Sequence, residues 1–342
     1  MRQQTRTRTL ALTSAALLGA ALLSGCDDGS SSVGSDGKTT VSVGLSGNIF
    51  DLSIHVAQRN GYFAAQGIKV KYVTLTASTG TSALESGSVQ FLNDSPTNYL
   101  SALSKGLPEL AVGWNGGGNP LGLVVSDEFA KKHGLTADTP PADVAKALAG
   151  STAGASSANT KAEAGLFLKA HGVDPGKLTW VSLPSPAADK AALAKDEIDW
   201  FVTSEPIPLQ VQKDGDGVVV ADPVKVPQWA YQDAGYGQVV AVKKSYAGAN
   251  ADTVKGFATA VQQATAYIAA HPGDAKVLGA ARETLTGASD DILKESIAQV
   301  EWPTSGKLDD AGWAKTVAFV KNIGAVPDAK VAADDWTNKY LP

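Results

Sequence analysis

The chain has 342 residues, of which 44% are hydrophobic and 18% charged, and a net charge of −5. That length and apolar content suffice for two lobes with buried cores. The acidic balance, with no basic block, argues against a nucleic-acid partner, and a single cysteine leaves no internal disulfide to stabilise the fold.

The first segment stands apart from the fold. Arg2, Arg6 and Arg8 give a basic start, and Leu10 to Leu23 carry no charge. That apolar run is shorter than the ~20 residues of a membrane span. It reads as the core of a secretory signal over residues 1–25. Leu23-Ser24-Gly25-Cys26 resembles a bacterial lipobox, in which the cysteine sulfur receives a lipid after cleavage. Two or three acyl chains, at ~0.8 kcal/mol per buried CH₂, hold a domain at a bilayer. Cys26 is thus the expected lipidation site, on the extracytoplasmic face of the cell membrane. Residues 26–38, rich in Gly, Ser and Asp, are expected to form a disordered tether.

From Thr39 the pattern becomes regular. Thr39 to Gly47 alternates like a strand, and a helix capped by Asp51 follows to Arg59. Ile68 to Leu75 is a second strand. A short helix ends at Gly87, and "VQFLND" is a third strand. Ser95 and Pro96 then occupy the N-cap and first position of a helix. Leu107 to Trp114 is a fourth strand, followed by the glycine-rich "NGGGN", read as a flexible cleft loop. "LGLVVS", "STAGAS", "LTWVSL", "IDWFVTSE", "GVVVA" and "GYGQVVAV" are further strands. Between them lie helices, one of which has Thr160 and Glu163 at capping-box spacing. Beyond Asp252 the chain is mainly helical. Alternating strands and helices predict parallel sheets covered by helices, an α/β fold. Trp200 and Phe201, in a strand buried on both faces, belong to the core.

Ligands of such sheets bind beyond the carboxyl ends of the strands. Five such ends carry small polar or aromatic groups: "SGNIFD", "NDSPTN", "GWNGGGN", "SSANTK" and "TSEP". Two open directly into helices, whose unpaired N–H groups and positive dipole end suit an oxyanion, unless the caps only satisfy their own helices. Absent patterns matter as well. His55, His133, His171 and His271 are far apart with no HExxH, so no metal site is indicated. No G-x-S-x-G and no phosphate-loop pattern occurs.

"VSVGLSGNIFDLSIHVAQRNGYFAAQGIKVKYVTL", with Gly61-Tyr62-Phe63 and Gly67, is similar to the opening of the SsuA/TauA/THI5-like substrate-binding proteins of ABC transporters. "ALESGSVQFLNDSP" matches a helix–strand unit of that family, with Gln90 where an acid is usual. "AALAKDEIDWFVTSEP" matches its second-lobe counterpart, with Asp196 where Gly is usual and Ser204 where an aromatic is common. The resemblance implies a two-lobed periplasmic-binding-protein clamp of type II, each lobe a mostly parallel sheet flanked by helices. "LGLVVS" and "GQVVAV" would be the crossing strands. Lobe 1 would be 39–122 plus 241–342, and lobe 2 would be 123–240. The implied function is non-enzymatic: capture of a small polar organic molecule, sulfonate or taurine-like, for an ABC permease and ATPase. A pyrimidine thiamine precursor or another aromatic is the alternative ligand. An enzyme on the same clamp, such as a pyrimidine synthase, ranks lower, because the sole Cys is committed to the anchor and no histidine cluster exists. No cofactor and a monomer are expected.

By matching position, the ligand contacts expected from lobe 1 are Asn48, Phe50, Asp94, Ser95, Trp114 and Asn115. Those from lobe 2 are Ser156, Ser157, Asn159, Thr160 and Glu205. Phe50 and Trp114 could stack on a flat ligand. Asp94 and Glu205 would favour an amine or ring N–H, or else serve as a cap and a latch. Trp229 and Tyr231 are further cleft candidates.

Overall fold

The computed structural model describes residues 32–33, 37–76, 78–229 and 235–342. Cys26 and Tyr231 lie outside them, as do the signal segment and most of the tether. The strands are β1 (Ser32–Val33), β2 (Thr39–Leu45), β3 (Ile68–Thr74), β4 (Phe91–Asp94), β5 (Glu109–Gly117), β6 (Leu121–Ser126), β7 (Thr152–Ala155), β8 (Thr179–Ser182), β9 (Trp200–Ser204), β10 (Gly217–Ala221) and β11 (Tyr236–Lys243). They form two sheets. The first runs β1-β2-β4-β11-β5, with β3 also on β2; the second runs β10-β6-β9-β7-β8. Ser32 and Val33 pair with Thr40 and Thr39, so the first sheet begins inside the stretch read as a tether.

Neither sheet is wholly parallel. β2, β3 and β4 run together, but β11 is inserted antiparallel between β4 and β5. In the second sheet β7, β8 and β9 run together, and β6 opposes both β9 and β10. The two opposed strands, β6 and β11, are those marked in the sequence as crossings. Each enters its sheet from the other sheet rather than over a helix on its own face, so the right-handed parallel crossover does not apply. The chain thus passes between two α/β lobes after β5 and again after β10. Pairing also shifts the expected edges: Leu121 and Gly122 pair with β9 in the second sheet, and Tyr236 and Val239 pair in the first.

Each lobe has its own core. Phe91 stacks on Phe257 at 3.8 Å and meets Tyr246 edge-on beneath the first sheet. Trp200 is fully buried in the second, and its indole N–H donates to Ser151 Oγ; Phe201 is buried on the opposite face. Full burial of one such side chain stabilises by ~1.5–3 kcal/mol. The four histidines each lie against an aromatic ring, on Tyr72, Phe129, Phe167 and Tyr267. Among the described residues, no group of three His, Cys, Asp or Glu could hold a metal ion, and no helix is long and apolar enough to cross a membrane.

One departure from the family pattern has a visible cost. Gly87 ends the helix Gly80–Glu85 region with φ +74°, and Asp196, in the equivalent place after Pro186–Leu193, adopts φ +56°. An L-residue there is strained by roughly 1–2 kcal/mol, and Asp is among the few that tolerate it. Asp196→Gly is expected to raise stability by ~0.5–1 kcal/mol, the relief being partly offset by greater freedom of the unfolded chain. Urea unfolding checks this; an unchanged midpoint would show that Asp196 bears no strain.

Candidate functional site

The carboxyl ends of β2, β4, β7, β8 and β9 face one another across the two sheets, and between them lies a cavity of about 150 Å³. Its walls begin with local caps. Asn48 Oδ1 accepts the Phe50 N–H at 2.9 Å and starts a short 3₁₀ turn. Ser95 caps the helix Pro96–Ser104, and Ser185 caps Pro186–Leu193. Both are Ser-Pro pairs, in which the hydroxyl accepts a backbone N–H and proline fills the position that has no N–H to satisfy. Ser157 caps Ala158–Ala170 by accepting the Thr160 N–H at 3.1 Å. Three helix starts therefore point their positive ends toward one space.

Of the residues expected from the sequence, Asn48, Phe50, Asp94, Ser95, Ser156, Ser157, Asn159 and Thr160 line the cavity. Trp114, Asn115 and Glu205 do not. Trp114 donates its indole N–H to the Lys307 carbonyl and packs on Tyr236 at 5.3 Å, so it backs a residue that does face the cavity. Asn115 is fully buried behind the cavity wall and donates to Ser53 Oγ and Asn93 Oδ1. Glu205 is buried one residue beyond the lining Ser204; its Oε2 accepts the Leu209 N–H at 3.2 Å. Burial pushes its carboxyl up to about 8. Trp229 is a core residue: fully buried, against Phe167, with its N–H on the Glu163 carbonyl. The "NGGGN" loop is mostly strand, since β5 runs to Gly117. Its glycines do allow a close approach, with the Phe50 ring seated on Gly116.

Two acids play parts other than those expected. Asp51 does not cap its helix. It turns back, fully buried, to accept the Gly47 N–H at 2.7 Å and the Asn93 amide at 2.6 Å. Burial raises it to about 6 against those hydrogen bonds. The chain Asp51–Asn93–Asn115–Ser53 thereby fixes the loop carrying Asn48 and Phe50. Glu163 does not close a capping box, because the cap is Ser157 rather than Thr160. It sits 1% exposed in the cavity wall, with Oε1 accepting the Asn159 amide at 2.7 Å. Asn159 and Glu163 are one helical turn apart, the spacing that could have revealed the pair. Asn159 also receives the Thr97 hydroxyl at 2.5 Å, joining a helix of the first lobe to one of the second.

The ionisable side chains of the wall are all acidic, set against the positive ends of the three helix starts. Asp94 and Glu163 line the cavity, and no described lining residue is Lys, Arg or His. Burial pushes Asp94 up to about 7, opposed by the Asn98 amide and the Ser95 N–H, and Glu163 up to about 8, opposed by the Asn159 and Asn119 amides. Tyr236 and Gln238 of β11 and Thr316 and Phe319 of the helix Asp310–Asn322 complete the wall. Nothing local in the sequence linked that distant helix to the cleft. The arrangement offers hydroxyls, amides, helix-start N–H groups, aromatic faces and two carboxyls.

No curated protein matches the sequence. Solved structures do match in fold. A protein of Bordetella bronchiseptica RB50 is 21% identical, with 88% of this chain and 95% of that chain covered and a TM-score of 0.72. The alkanesulfonate-binding protein SsuA from Xanthomonas axonopodis pv. citri, bound to MOPS, is 18% identical over 87% and 98%, with a TM-score of 0.67. The periplasmic nitrate-binding protein NrtA from Synechocystis PCC 6803 is 16% identical over 85% and 83%, with a TM-score of 0.63. A family model described as NMT1/THI5 like matches residues 51–275, which contain Asp94, Asn159, Glu163 and every strand of the second sheet. By that match, over most of the two-lobed fold and most of the cavity wall, the chain belongs to the NMT1/THI5-like family.

Proposed function

We propose that this chain is a lipid-anchored solute receptor that captures a small polar organic molecule between its lobes and delivers it to an ABC importer. The observation that carries this reading is the cavity itself, walled by strand tips and helix starts from both sheets. A guest there touches both lobes and stabilises their approach, in proportion to its preference for that state. Lobe 1 is taken as residues 39–120 with 236–342, and lobe 2 as 121–221, joined by the two passages. The names of the fold relatives, alkanesulfonate-binding and nitrate-binding, favour a binding role for this chain. The ligand is a sulfonate or taurine-like molecule on this reading. Phe50, Tyr236 and Phe319 in the wall favour the second reading, a pyrimidine thiamine precursor or other aromatic.

The test is equilibrium binding of candidate solutes to the purified chain, alongside ATP hydrolysis by the permease and ATPase subunits with which it is expected to work. Saturable one-to-one binding without turnover, and loaded receptor stimulating hydrolysis, are expected. Chemical turnover of the solute would replace the receptor reading with an enzyme. The anchor is tested separately. Cys26→Ser is expected to move the protein from the membrane to the soluble fraction, because the acyl chains supply the membrane affinity. Retention of Cys26→Ser in the membrane fraction would remove the lipid from the proposal.

A further inference from the structure

The lobes meet at a second junction, apart from Thr97 and Asn159. The helix Ile207–Asp214 of the second lobe lies against the loop 285–289 of the first, which joins the helices Ala275–Thr284 and Asp290–Ala298. The Lys213 ammonium donates to Ser289 Oγ at 2.6 Å. Gln210, 3% exposed, donates to the Thr286 carbonyl at 3.5 Å, beside Gly287, which turns the loop with φ +90°. None of these residues lines the cavity or the larger groove of about 950 Å³ beside it.

The loop is also held from its own side. Arg282 grips Asp290 across it with two hydrogen bonds, at 2.8 and 2.6 Å. Past the helix Asp290–Ala298, Glu301 exchanges backbone hydrogen bonds with Gly117, the last residue of β5, at 2.8 and 3.0 Å. That helix is therefore pinned at one end to the first passage between the lobes. At its other end it is held by Lys213 of the second lobe.

Ser289 departs from the other serine caps. Among the described residues, Ser95, Ser126, Ser157, Ser185 and Ser289 each stand at a helix start. The first four accept the N–H three residues on, at 3.3, 3.1, 3.1 and 3.2 Å. Ser289 has the backbone of a cap, φ −73° and ψ 160°, with Asp290 and Asp291 in the first turn, yet its hydroxyl makes no cap bond. The hydroxyl is turned to Lys213 instead. An ammonium donor makes a stronger bond than a neutral amide, so with the lobes joined Ser289 serves the opposite lobe rather than its own helix.

We propose that Lys213 and Ser289 latch the lobes together from outside the cleft, and that Ser289 changes partner when the lobes part, releasing Lys213 and capping the helix Asp290–Ala298. This deepens the receptor reading and rests on its opening and closing lobes. The change of partner keeps the latch shallow, because the bond lost across the junction is replaced by one within the helix. Lys213 and Ser289 are thus positioning residues. They set how much of the receptor stands closed without lining the space for the solute.

The test uses the full chain carrying Cys26→Ser, with nitroxides at Lys195→Cys in the second lobe and Lys276→Cys in the first, both exposed positions. Double electron–electron resonance then reads the ratio of open to closed lobes without any solute. Lys213→Met and Ser289→Ala are each expected to raise that ratio at least threefold, and Lys213→Arg to stay within twofold of the parent. Hydrogen exchange of the Ile292 amide, the one a capping Ser289 would reach, reads the change of partner. It is expected to be several-fold slower in Lys213→Met than in the parent, and no slower in Ser289→Ala. Circular dichroism checks each fold; Lys213→Met, at an exposed side chain, carries the test if Ser289→Ala does not fold. Two interlobe distances whose ratio ignores both substitutions would overturn the latch and leave the receptor reading standing. A shifted ratio with unchanged Ile292 exchange in Lys213→Met would overturn the change of partner. One distance in every variant would remove the latch and the moving clamp together.

Discussion

Raising the pH from 5 to 9 is expected to lower the melting temperature of the unliganded protein by on the order of 10 °C. The cause is a set of carboxyls that burial drives upward: Asp51 to about 6, Asp94 and Asp189 to about 7, Glu163 and Glu205 to about 8, and Glu109 to about 9. In the unfolded chain the same groups lose their protons near pH 4. Above that, the folded state binds more protons than the unfolded one, so stability is greatest at the acid end and is lost as pH climbs toward each folded value. Ordinary salt-bridged carboxylates behave in the opposite sense. Glu109 is the sharpest case: fully buried at the start of β5, neither carboxyl oxygen has a hydrogen-bond partner, and Asp94 and Glu85 add repulsion to its desolvation. Glu109→Gln is expected to flatten the upper part of the profile. A melting temperature that stays level from pH 5 to 9 would show that these carboxyls are solvated or paired in solution.

Gly116→Ala is expected to cost ~1–3 kcal/mol and to weaken ligand binding by tenfold or more. A methyl group at Gly116 would meet the Phe50 Cδ1 at 2.2 Å, far inside contact distance. The backbone there is an ordinary strand, so the effect is steric rather than conformational. The Phe50 ring, also close to Gly237, has to move, and the open side is the cavity it lines. Gly248→Ala is the control, because a methyl there meets nothing within 4 Å. Chemical denaturation reads the first effect and calorimetry with the bound solute the second. A variant as stable as the parent and equal in affinity would mean that Phe50 is not fixed by this contact.

The two-lobed α/β architecture was legible because its signals are local: alternating strands, Ser-Pro helix starts, and glycines closing helices. Most of the cavity wall was legible for the same reason, since it is built from turns that follow strands. Direction was not, because β6 and β11 carry the same apolar alternation as their parallel neighbours, and only their arrival from the other sheet reverses them. Glu163 was misread because Thr160 offers a cap of its own; the helix starts three residues earlier, at Ser157, which carries Glu163 round to the cleft. Trp114 and Glu205 sit one layer behind the wall. A strand places its side chains on alternate faces, so sequence position alone brings a residue near a site without deciding which way it points. The contributions of Thr316 and Phe319 depend on a helix more than 200 residues from Asn48, which no short-range pattern reveals.

The hydrogen-bond chain Thr97–Asn159–Glu163 has a mechanical corollary. Asn159 uses its carbonyl oxygen on a neighbour in the opposite half and its amide group on the buried Glu163 of the cavity wall. Spreading the halves frees that amide to rotate, and a rotated amide no longer steadies the Glu163 carboxyl. Separation of the halves and release of the Glu163 carboxyl are therefore coupled through this one amide.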